Sequence, residues 1–489
     1  MKYYSTNRRS EPASLAQAVI KGLAPDKGLY MPEKIAPLSA AFFAALDDPH
    51  SGITFHEVAC RVAEGFFGED IPSADLDRIV TETLSFDIPL KKVSSEKYSL
   101  ELFHGPTAAF KDVGARFMAR MLAWAITARE AGAENGTASA SAARPAGETV
   151  GERLRSTGRR PGREERSPSR PEREGRVTVL VATSGDTGSA VANGFLGVEG
   201  IDVVVLYPKG KVSDIQEMQF TTLGQNITAL AVEGTFDDCQ RLVKSAFMDV
   251  DLARKMELTS ANSINVARFL PQAFYYFWGY AQLRRMGVAG DVVVCVPSGN
   301  FGNIIAGLFA KRMGLPVKRF IAANNRNDVF LEYIRTGAYS PRASVSTLAN
   351  AMDVGDPSNF ARIVDLYGGS MDRLDDKPTA DRIRADISAY AFDDKQIEDC
   401  IRRTYAATGY LLDPHGACGY MGLEAGLQKG ETGIFLETAE PAKFRDTVEP
   451  IIGKKVPIPA TLQKFMGREK RSIDMRADFG VFKEWLMRR

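Results

Sequence analysis

The sequence has few of the residues that build disulfide frameworks or metal sites. Its five cysteines are an odd number and include no Cys-x-x-Cys pair, which argues against a disulfide framework and against a structural zinc site and favours a reducing compartment. None of its four histidines lies at metal-ligand spacing from another. We therefore expect no metal site and a cytoplasmic location.

The sequence also lacks an excess of charge of either sign and lacks long apolar runs. Lysine and arginine together number 62, against 61 aspartates and glutamates, so nothing indicates a nucleic-acid or membrane partner. No apolar run reaches membrane-spanning length, and the N-terminus lacks the apolar core of a signal peptide. We expect a soluble intracellular protein, and its 489 residues are enough for two or three domains.

The chain divides into regions of different composition. Residues 1–90 predict a small helical domain, and 86–98 are expected to link it to the next region. Residues 91–470 are expected to form the main catalytic core, and 471–489 a C-terminal helix. Within the core, 131–176 consist mainly of Gly, Ala, Ser, Pro, Arg and Glu without an aromatic residue. Such a segment buries too little apolar surface to order itself, so we expect a disordered insertion.

Beyond the predicted insertion, apolar strands alternate with helices. Val177 to Ala182 is a continuous apolar run that ends in a turn, which is typical of a strand covered on both faces. Strands separated by helices predict a parallel α/β sheet with helices on both faces. In the N-terminal domain, by contrast, Ser14 and Thr54 are typical helix caps. The further predicted strands span 203–206, 227–232, 292–296 and 319–323.

Lys111 stands at the start of a strongly amphipathic helical pattern. Gly105-Pro106 predicts a bend before it, and Val113 and Phe117 begin an apolar stripe after it. A lysine near a helix N-terminus and phenylalanine side chains should lose its proton more easily than one in water. A neutral amine is a nucleophile. The alternative is a lysine that lies along the surface with its charge in water.

Two glycine-rich loops follow predicted strands, at the edge of a parallel sheet where ligands bind. In the loop at 297–303, small residues let backbone N–H groups converge at a helix start, which suits a phosphate. The loop at 183–189 is rich in hydroxyl groups. Neither matches Gly-x-Gly-x-x-Gly or the P-loop pattern, so dinucleotide and nucleoside-triphosphate binding lose their main support. Tight turns between strands and helices favour the same residues, so each loop alone fits a turn as well as a site.

An amine, a phosphate loop and an anion loop are what pyridoxal phosphate and an amino-acid substrate require. Further segments carry a resemblance to one enzyme family, in the expected order along nearly the whole chain. They are 22–32, 103–107 with 110–112, 182–188, 262–265, 298–303 and 411–416. On these residues the sequence resembles the threonine synthases, which are pyridoxal-phosphate enzymes of fold type II. The resemblance implies two parallel-sheet α/β domains, beside the helical N-terminal region and the insertion.

The resemblance also implies roles for single residues. Lys111 would hold pyridoxal 5'-phosphate covalently through its amine, and Thr438 would face the pyridine nitrogen. Apart from the resemblance, Arg268 on a predicted helix after Asn265 is a candidate for binding the phosphate of the substrate, with a structural ion pair as the alternative. The phosphate of the cofactor would meet Gly299, Asn300, Phe301, Gly302 and Asn303, and the substrate carboxylate and the ring hydroxyl would meet Ser184, Asp186 and Thr187.

The reaction implied is that of a lyase that converts O-phospho-L-homoserine and water to L-threonine and phosphate. It combines γ-elimination with β-hydration as the last step of threonine biosynthesis, in a monomer or homodimer. Two alternatives stay open: another fold type II enzyme, such as a serine/threonine dehydratase, and a non-catalytic relative that binds a phosphorylated metabolite. For His104 and His415 we expect structural hydrogen bonds rather than acid–base work. For 353–359 we expect a turn and helix cap, with a role in closing over the substrate as the alternative.

Overall fold

The N-terminal region consists of helices and one small antiparallel sheet. The computed structural model describes residues 1–141, 176–374 and 376–489. Ser14 and Thr54 each accept a hydrogen bond from the third helical residue and form capping boxes, which confirms both predicted caps. The elements are β1 (Tyr3–Ser5), α1 (Leu15–Lys21), β2 (Tyr30–Pro32), α2 (Ala40–Asp47), α3 (Phe55–Phe67) and α4 (Ser73–Thr83).

Two strands and a long helix follow: β3 (Leu90–Lys92), β4 (Lys97–Glu101) and α5 (Lys111–Ser141). The predicted apolar stripe of α5 is confirmed, since Val113 and Phe117 are fully buried. The helix runs past residue 131, where the composition predicts the start of the insertion. The rest of the predicted insertion, 142–175, lies outside the described residues.

Strands and helices alternate from residue 176 onward, as the sequence predicts, and every strand predicted from an apolar run lies within an observed strand. The elements up to residue 260 are β5 (Val177–Ala182), α6 (Asp186–Gly194), β6 (Ile201–Pro208), α7 (Asp214–Thr221), β7 (Ile227–Glu233), α8 (Phe236–Met248), α9 (Val250–Lys255) and β8 (Glu257–Ser260). Those that follow are α10 (Val266–Phe269), α11 (Ala273–Arg285), β9 (Asp291–Pro297), α12 (Gly302–Arg312), β10 (Val317–Asn324), α13 (Val329–Thr336), α14 (Phe360–Leu366), α15 (Lys377–Asp386), β11 (Ile387–Ala391), α16 (Asp394–Thr408), α17 (Pro414–Gly426), β12 (Glu431–Glu437), α18 (Arg445–Ile452), α19 (Ala460–Gln463), β13 (Ile473–Arg476) and α20 (Phe479–Arg488).

Two mainly parallel sheets organise the rest of the chain. The smaller has the order β13-β7-β6-β5-β8, and the larger has the order β11-β10-β9-β12-β4-β3. Every pairing in them is parallel except that of β3 with β4. The fold is therefore the predicted α/β class with parallel sheets. Because β9, β12 and β4 are neighbours, the loops that follow them emerge side by side at one edge.

The C-terminal segment contributes a strand as well as the predicted helix. β13 pairs with β7 at the edge of the smaller sheet. Its four residues alternate apolar and polar in the sequence, but only Met475 is buried, and so short a run is a weak strand signal. None of the helices in the described residues is both long and apolar enough to cross a membrane.

Candidate active site

The loops after β4 and β12 are hydrogen-bonded to each other, and this pairing brings Lys111 close to Thr438. Phe110 N donates to Thr438 O at 2.8 Å, and Glu440 N donates to Ala108 O at 3.1 Å. The strands β4 and β12 are parallel, but the loops that follow them pair in antiparallel fashion, through a short bridge between Ala109 and Ala439. The sequence predicts both residues as cofactor contacts, and the structure places them on adjacent backbone.

The bend before Lys111 is held by buried side chains. Asp112 accepts hydrogen bonds from the backbone N–H of Thr107 at 2.9 Å and from its hydroxyl at 2.7 Å. The carbonyl of Thr107 in turn accepts from Gln219 Nε2 and from Lys443 Nζ, each at 2.9 Å. Since Gln219 lies on α7 and Lys443 follows β12, one carbonyl ties the lysine-bearing loop to both sheets.

Lys111 is the first residue of α5, and its side chain is half-buried. Burial of the amine is the main cause that lowers its pKa to about 8. The positive charges of Lys443 and Arg268 lower this pKa further, whereas Asp186 opposes the change. A substantial fraction of the amine is therefore neutral near physiological pH, as a nucleophile or general base requires.

A buried ion pair closes the site on the side of the smaller sheet. Lys443 Nζ lies 2.5 Å from Asp186 Oδ1, and both side chains are almost completely buried. Gln216 Nε2 donates to the same carboxylate oxygen at 2.8 Å. Burial alone would raise the pKa of Asp186, but Lys443 and Lys111 outweigh it and hold that pKa below its usual range. Asp186 is therefore ionised, and it lies where the sequence predicts a binding residue.

Sequence reasoning missed Lys443 as a site residue. The lysine interrupts the otherwise apolar run Pro441-Ala442-Lys443-Phe444, directly after a buried strand. A charged residue in such a run at the carboxyl edge of a parallel sheet is a signal that could have found it. Its partner Asp186 begins α6, after a strand of the other sheet, so the pairing is visible only in the fold.

The loop at 299–303 presents its backbone to the site while its side chains bind protein groups. Phe301 has the left-handed backbone angle φ of 61°, an unfavourable conformation that is common at ligand sites. Asn303 Nδ2 donates to Pro297 O at 2.8 Å. A Cβ on Gly299 would lie 2.8 Å from Met352 Cα, so only glycine fits there. Within the described residues, no protein acceptor binds the backbone N–H groups of Gly299, Asn300, Phe301, Gly302 and Asn303.

The segment 353–359 packs onto this loop through Asn300. Asn300 Oδ1 accepts from Ser358 N at 2.6 Å, and Asn359 Nδ2 donates to Asn300 O at 2.9 Å. On its other side, Asn300 Nδ2 donates to Ser263 Oγ at 2.8 Å. As the sequence predicts, Asn359 precedes a helix, α14, although its side chain makes no capping hydrogen bond. The segment instead fixes the shape of the loop.

The loop after β5 also leaves backbone donors free. Gly185 has the backbone angle φ of 143°, which strongly favours glycine. Thr183 Oγ1 accepts from Gly185 N at 2.9 Å and from Gly188 N at 2.8 Å, and so closes a tight turn at the start of α6. Within the described residues, no protein acceptor binds the backbone N–H groups of Ser184, Asp186 and Thr187.

Arg268 is buried beside the first turn of α5, in the four-residue helix α10, and its residue is only 3% exposed. Its Nη1 donates to Ala261 O at 2.5 Å, but its Nε has no hydrogen-bond partner. No carboxylate in the described part of the chain forms an ion pair with it, so the alternative of a structural ion pair finds no support. Burial lowers its pKa to about 10, so it keeps its charge at neutral pH.

The sequence analysis missed Arg362, whose hydrogen bonds connect segments that surround the site. Its guanidinium donates to the carbonyls of Ser263, Ile264 and Tyr30 and to Asn359 Oδ1. It thereby joins α14 and the N-terminal segment 22–32 to the residues that precede Arg268. In the sequence it looks like an ordinary surface arginine on a short helix.

His104 and His415, which lie in segments that carry the family resemblance, both form hydrogen bonds to protein groups. His415 is buried, with Nδ1 2.5 Å from Asp413 Oδ1 and Nε2 accepting from Ala351 N at 3.2 Å. His104 Nε2 lies 2.8 Å from Glu101 Oε2 on a half-exposed side chain. Since both ring nitrogens of His415 are occupied, its contacts are structural.

These residues fit pyridoxal phosphate. The cofactor needs an amine for its aldehyde and donors for its phosphate, and Lys111 and the N–H groups at the start of α12 supply them. A helix N-terminus also carries a partial positive charge that favours a phosphate. The hydroxyl of Thr438 makes no hydrogen bond within the described residues, so it can meet the ring nitrogen.

Comparison with protein families gives a consistent result. Residues 162–436 match the family model described as pyridoxal-phosphate dependent enzyme. Residues 2–84 match the threonine synthase N terminus, and residues 416–485 match the threonine synthase C-terminal model. Together these matches extend over most of the chain, including the N-terminal region and the last strand.

Individual relatives match over their full length. The threonine synthase of Haemophilus influenzae is 40% identical over 488 residues, which cover 100% of this chain and 100% of that protein. The threonine synthase of Escherichia coli is 38% identical over 487 residues, which cover 100% of this chain and 99% of that protein. The crystal structure of threonine synthase from Escherichia coli matches with a TM-score of 0.82, 37% identity and full coverage of both chains. The structure of pyridoxal-phosphate-bound threonine synthase from Brucella melitensis matches with a TM-score of 0.84 and 33% identity, covering 100% of this chain and 99% of that one. The chain belongs to the threonine synthase family of pyridoxal-phosphate-dependent lyases.

Proposed function

We propose that this protein converts O-phospho-L-homoserine and water to L-threonine and phosphate in the cytoplasm, as the last step of threonine biosynthesis. The observation that carries the proposal is Arg268, a buried charged guanidinium with an unpaired Nε close to Lys111. A buried donor without a partner is costly unless a ligand supplies the acceptor. The phosphate of the cofactor has its own loop at 299–303, so Arg268 is available for a second phosphate.

The two ends of the substrate would be bound by different parts of the site. A guanidinium offers a planar fork of donors that matches phosphate oxygens, so Arg268 would bind the phosphate end. The carboxylate end would meet the N–H groups of Ser184 and Thr187, at the start of α6. Asp186 is paired with Lys443 and repels a carboxylate, which assigns it to positioning this loop and the cofactor rather than to the substrate carboxylate.

Pyridoxal phosphate, when bound, supplies the electron sink that makes the protons at Cα and Cβ removable. Lys111 Nζ would hold the cofactor in the resting enzyme and then serve as the base that takes the proton from Cα of the substrate. Its pKa of about 8 suits both duties, since the amine can accept and return a proton near neutral pH. The low exposure of Lys443, Asp186 and Arg268 keeps bulk water away from this face of the site.

The test is an assay of the purified holoenzyme with O-phospho-L-homoserine, in which threonine and phosphate are both quantified. We expect them to appear in equal amounts. Lys111→Ala should abolish turnover without unfolding the protein, because the amine is removed at a loop–helix junction and not from the core. Lys244→Ala, an exposed lysine on α8, is the matched control and should keep full activity. A Lys111→Ala enzyme with near-normal threonine production would refute the assignment.

The same preparation separates the alternatives. A serine/threonine dehydratase would release ammonia from L-serine or L-threonine faster than it consumes O-phospho-L-homoserine. A non-catalytic relative would bind the phosphorylated compound and turn over none of these substrates. The expectation of a monomer or homodimer stays a prediction, which light scattering of the eluted protein would measure.

A further inference from the structure

A cluster of three metal-ligating side chains lies in the N-terminal region, apart from the site described above. His56 and Cys60 are one helical turn apart on α3, and Asp77 faces them from α4. Residues four apart in a helix project from the same face, so His56 and Cys60 are neighbours by helix geometry alone. The antiparallel packing of the next helix then adds the carboxylate.

The distances within the trio are those of a tetrahedral metal site. Cys60 Sγ lies 3.7 Å from His56 Nε2 and 3.4 Å from Asp77 Oδ1, and His56 Nε2 lies 3.6 Å from Asp77 Oδ1. Ligand bonds of about 2.3 Å to sulfur and about 2.0–2.1 Å to nitrogen and oxygen place tetrahedral ligands roughly 3.3–3.6 Å apart. The observed triangle therefore needs to change by only a few tenths of an ångström, on the order of ordinary side-chain adjustment, to hold an ion.

The surroundings leave room for a fourth ligand. The side chain of Asp77 is 62% exposed and that of His56 is 39% exposed, whereas Cys60 is partly buried against α4. A thiolate and a carboxylate together balance the charge of a divalent cation, so the loaded trio would carry no net charge. Water can reach the open side and complete four-coordination.

We propose that His56, Cys60 and Asp77 form a binding site for Zn²⁺, with water as the fourth ligand. The sulfur and imidazole ligands select a borderline or soft transition metal over Mg²⁺ and Ca²⁺, which prefer oxygen. Thr81 Oγ1 lies 2.7 Å from His56 Nε2. An ion bound to Nε2, the nitrogen from which the triangle is measured, replaces that hydrogen bond.

A catalytic thiol is the other chemistry that a Cys–His–Asp trio can carry, and the position of the trio argues against it. The three side chains lie at the surface of two helices, and Asp77 is 62% exposed. No anion-binding loop of the kind found around Lys111 lies beside them in the described residues.

A bound ion would link α3 to α4, and α4 is in turn hydrogen-bonded to α5. Arg116 on α5 donates from Nε to Thr83 O at 2.9 Å, at the last residue of α4. Zinc bound to the folded state alone would therefore raise the melting temperature, and the rise would grow with the logarithm of the zinc concentration over its dissociation constant. Turnover should change little, since none of the three ligands contacts the residues around Lys111.

The experiment is a titration of the chelator-treated holoenzyme with Zn²⁺ in competition with a chromophoric chelator, repeated with Co²⁺. We expect one equivalent of tight binding, a rise in melting temperature with Zn²⁺, and a sulfur-to-cobalt charge-transfer band in the Co²⁺ difference spectrum. Cys60→Ser should lose the band, and Cys60→Ser and Asp77→Asn should each bind Zn²⁺ at least about tenfold more weakly. Both should keep wild-type turnover.

His50→Ala is the matched control, because His50 is exposed and lies outside the trio. It should bind Zn²⁺ as the wild type does. Asp77 is exposed, so Asp77→Asn should fold even if Cys60→Ser disturbs packing. Equal Zn²⁺ affinity in wild type and Asp77→Asn, or Co²⁺ binding by the wild type without a sulfur band, would overturn the proposal.

Discussion

Two short helices each bury an arginine beside the segment 262–265, and the two guanidinium groups have different surroundings. Arg362 on α14 is fully buried and donates to four protein acceptors through all three nitrogens. Arg268 on α10 is as deeply placed but makes a single hydrogen bond and leaves Nε unpaired. A buried charge with satisfied donors holds a fold together, whereas one with free donors is retained at a cost in stability. The comparison assigns Arg362 to structure and Arg268 to a ligand.

The largest effect on stability should come from Arg362→Met. The variant leaves four acceptors unpaired, two of them buried and two partly buried. Each buried one costs about 1–3 kcal/mol, and the relief of removing a buried charge offsets only part of this. We expect the free energy of unfolding to fall by about 3–5 kcal/mol, seen as a lower midpoint in urea. The exposed Arg335 on α13 provides the control Arg335→Met, which should leave the midpoint unchanged. An unchanged midpoint in Arg362→Met would remove the distinction between the two arginines.

A smaller effect should appear in the pH dependence of cofactor binding. The covalent bond forms from the neutral amine, and the neutral fraction of Lys111 grows as pH rises through its pKa of about 8. The rate at which the apoenzyme takes up pyridoxal phosphate should therefore rise towards pH 8 and level off above it. The visible absorbance of the lysine-bound cofactor measures it. A rate that keeps rising to the usual pKa of lysine, about 10.4, would contradict the assigned environment.

The same profile distinguishes the two arginines. The positive charge of Arg268 disfavours the protonated amine and is one of the causes that lower the pKa of Lys111. Removing that charge in Arg268→Met should move the profile to higher pH. Arg362 is not among those causes, so the profile of Arg362→Met, measured where that variant is folded, should match the wild type. An unchanged pH profile of cofactor uptake in Arg268→Met would show that the charge of Arg268 does not act on Lys111.

The smallest effect is expected in the arginine-rich segment 142–175, which extends the comparison to arginines in a stretch without apolar periodicity. We expect deletion of these residues, with a short Gly-Ser linker in their place, to leave turnover and melting temperature nearly unchanged. Its composition offers no apolar periodicity, and the entropy of loop closure varies slowly with length. A large loss of either quantity would show that the segment contributes contacts of its own.

The two arginines also show what a sequence reveals about this fold. Local patterns sufficed for the capped helices at Ser14 and Thr54 and for the buried strands, because capping and apolar runs are properties of neighbouring residues. The site residues Lys111, Asp186 and Arg268 were predicted from loops and a family resemblance. Their contacts depend on strands far apart in the chain.

What the sequence did not reveal depends on such distant contacts. Arg362 is buried because Tyr30 and Ser263 fold over it, and nothing in its own helix indicates this. Lys443 gains its role from Asp186, which begins α6 after a strand of the other sheet. The spacing of His56 and Cys60 is visible in the sequence, but the third ligand comes from another helix. β13 has one buried residue, and it forms a strand through its backbone pairing with β7, which is distant in the sequence.

Arg268→Met tests the central claim most directly, with turnover of O-phospho-L-homoserine and urea unfolding measured on the same preparation. Methionine fills a similar volume without the charge, so the account predicts an unfolding midpoint at or above that of the wild type. It also predicts a loss of about ten- to a hundredfold in kcat/KM, since a charge-assisted contact contributes about 1.5–3 kcal/mol. The visible absorbance of the bound cofactor should be unchanged. A variant that unfolds as early as Arg362→Met and keeps its kcat/KM would contradict the account, because Arg268 would then be a structural residue.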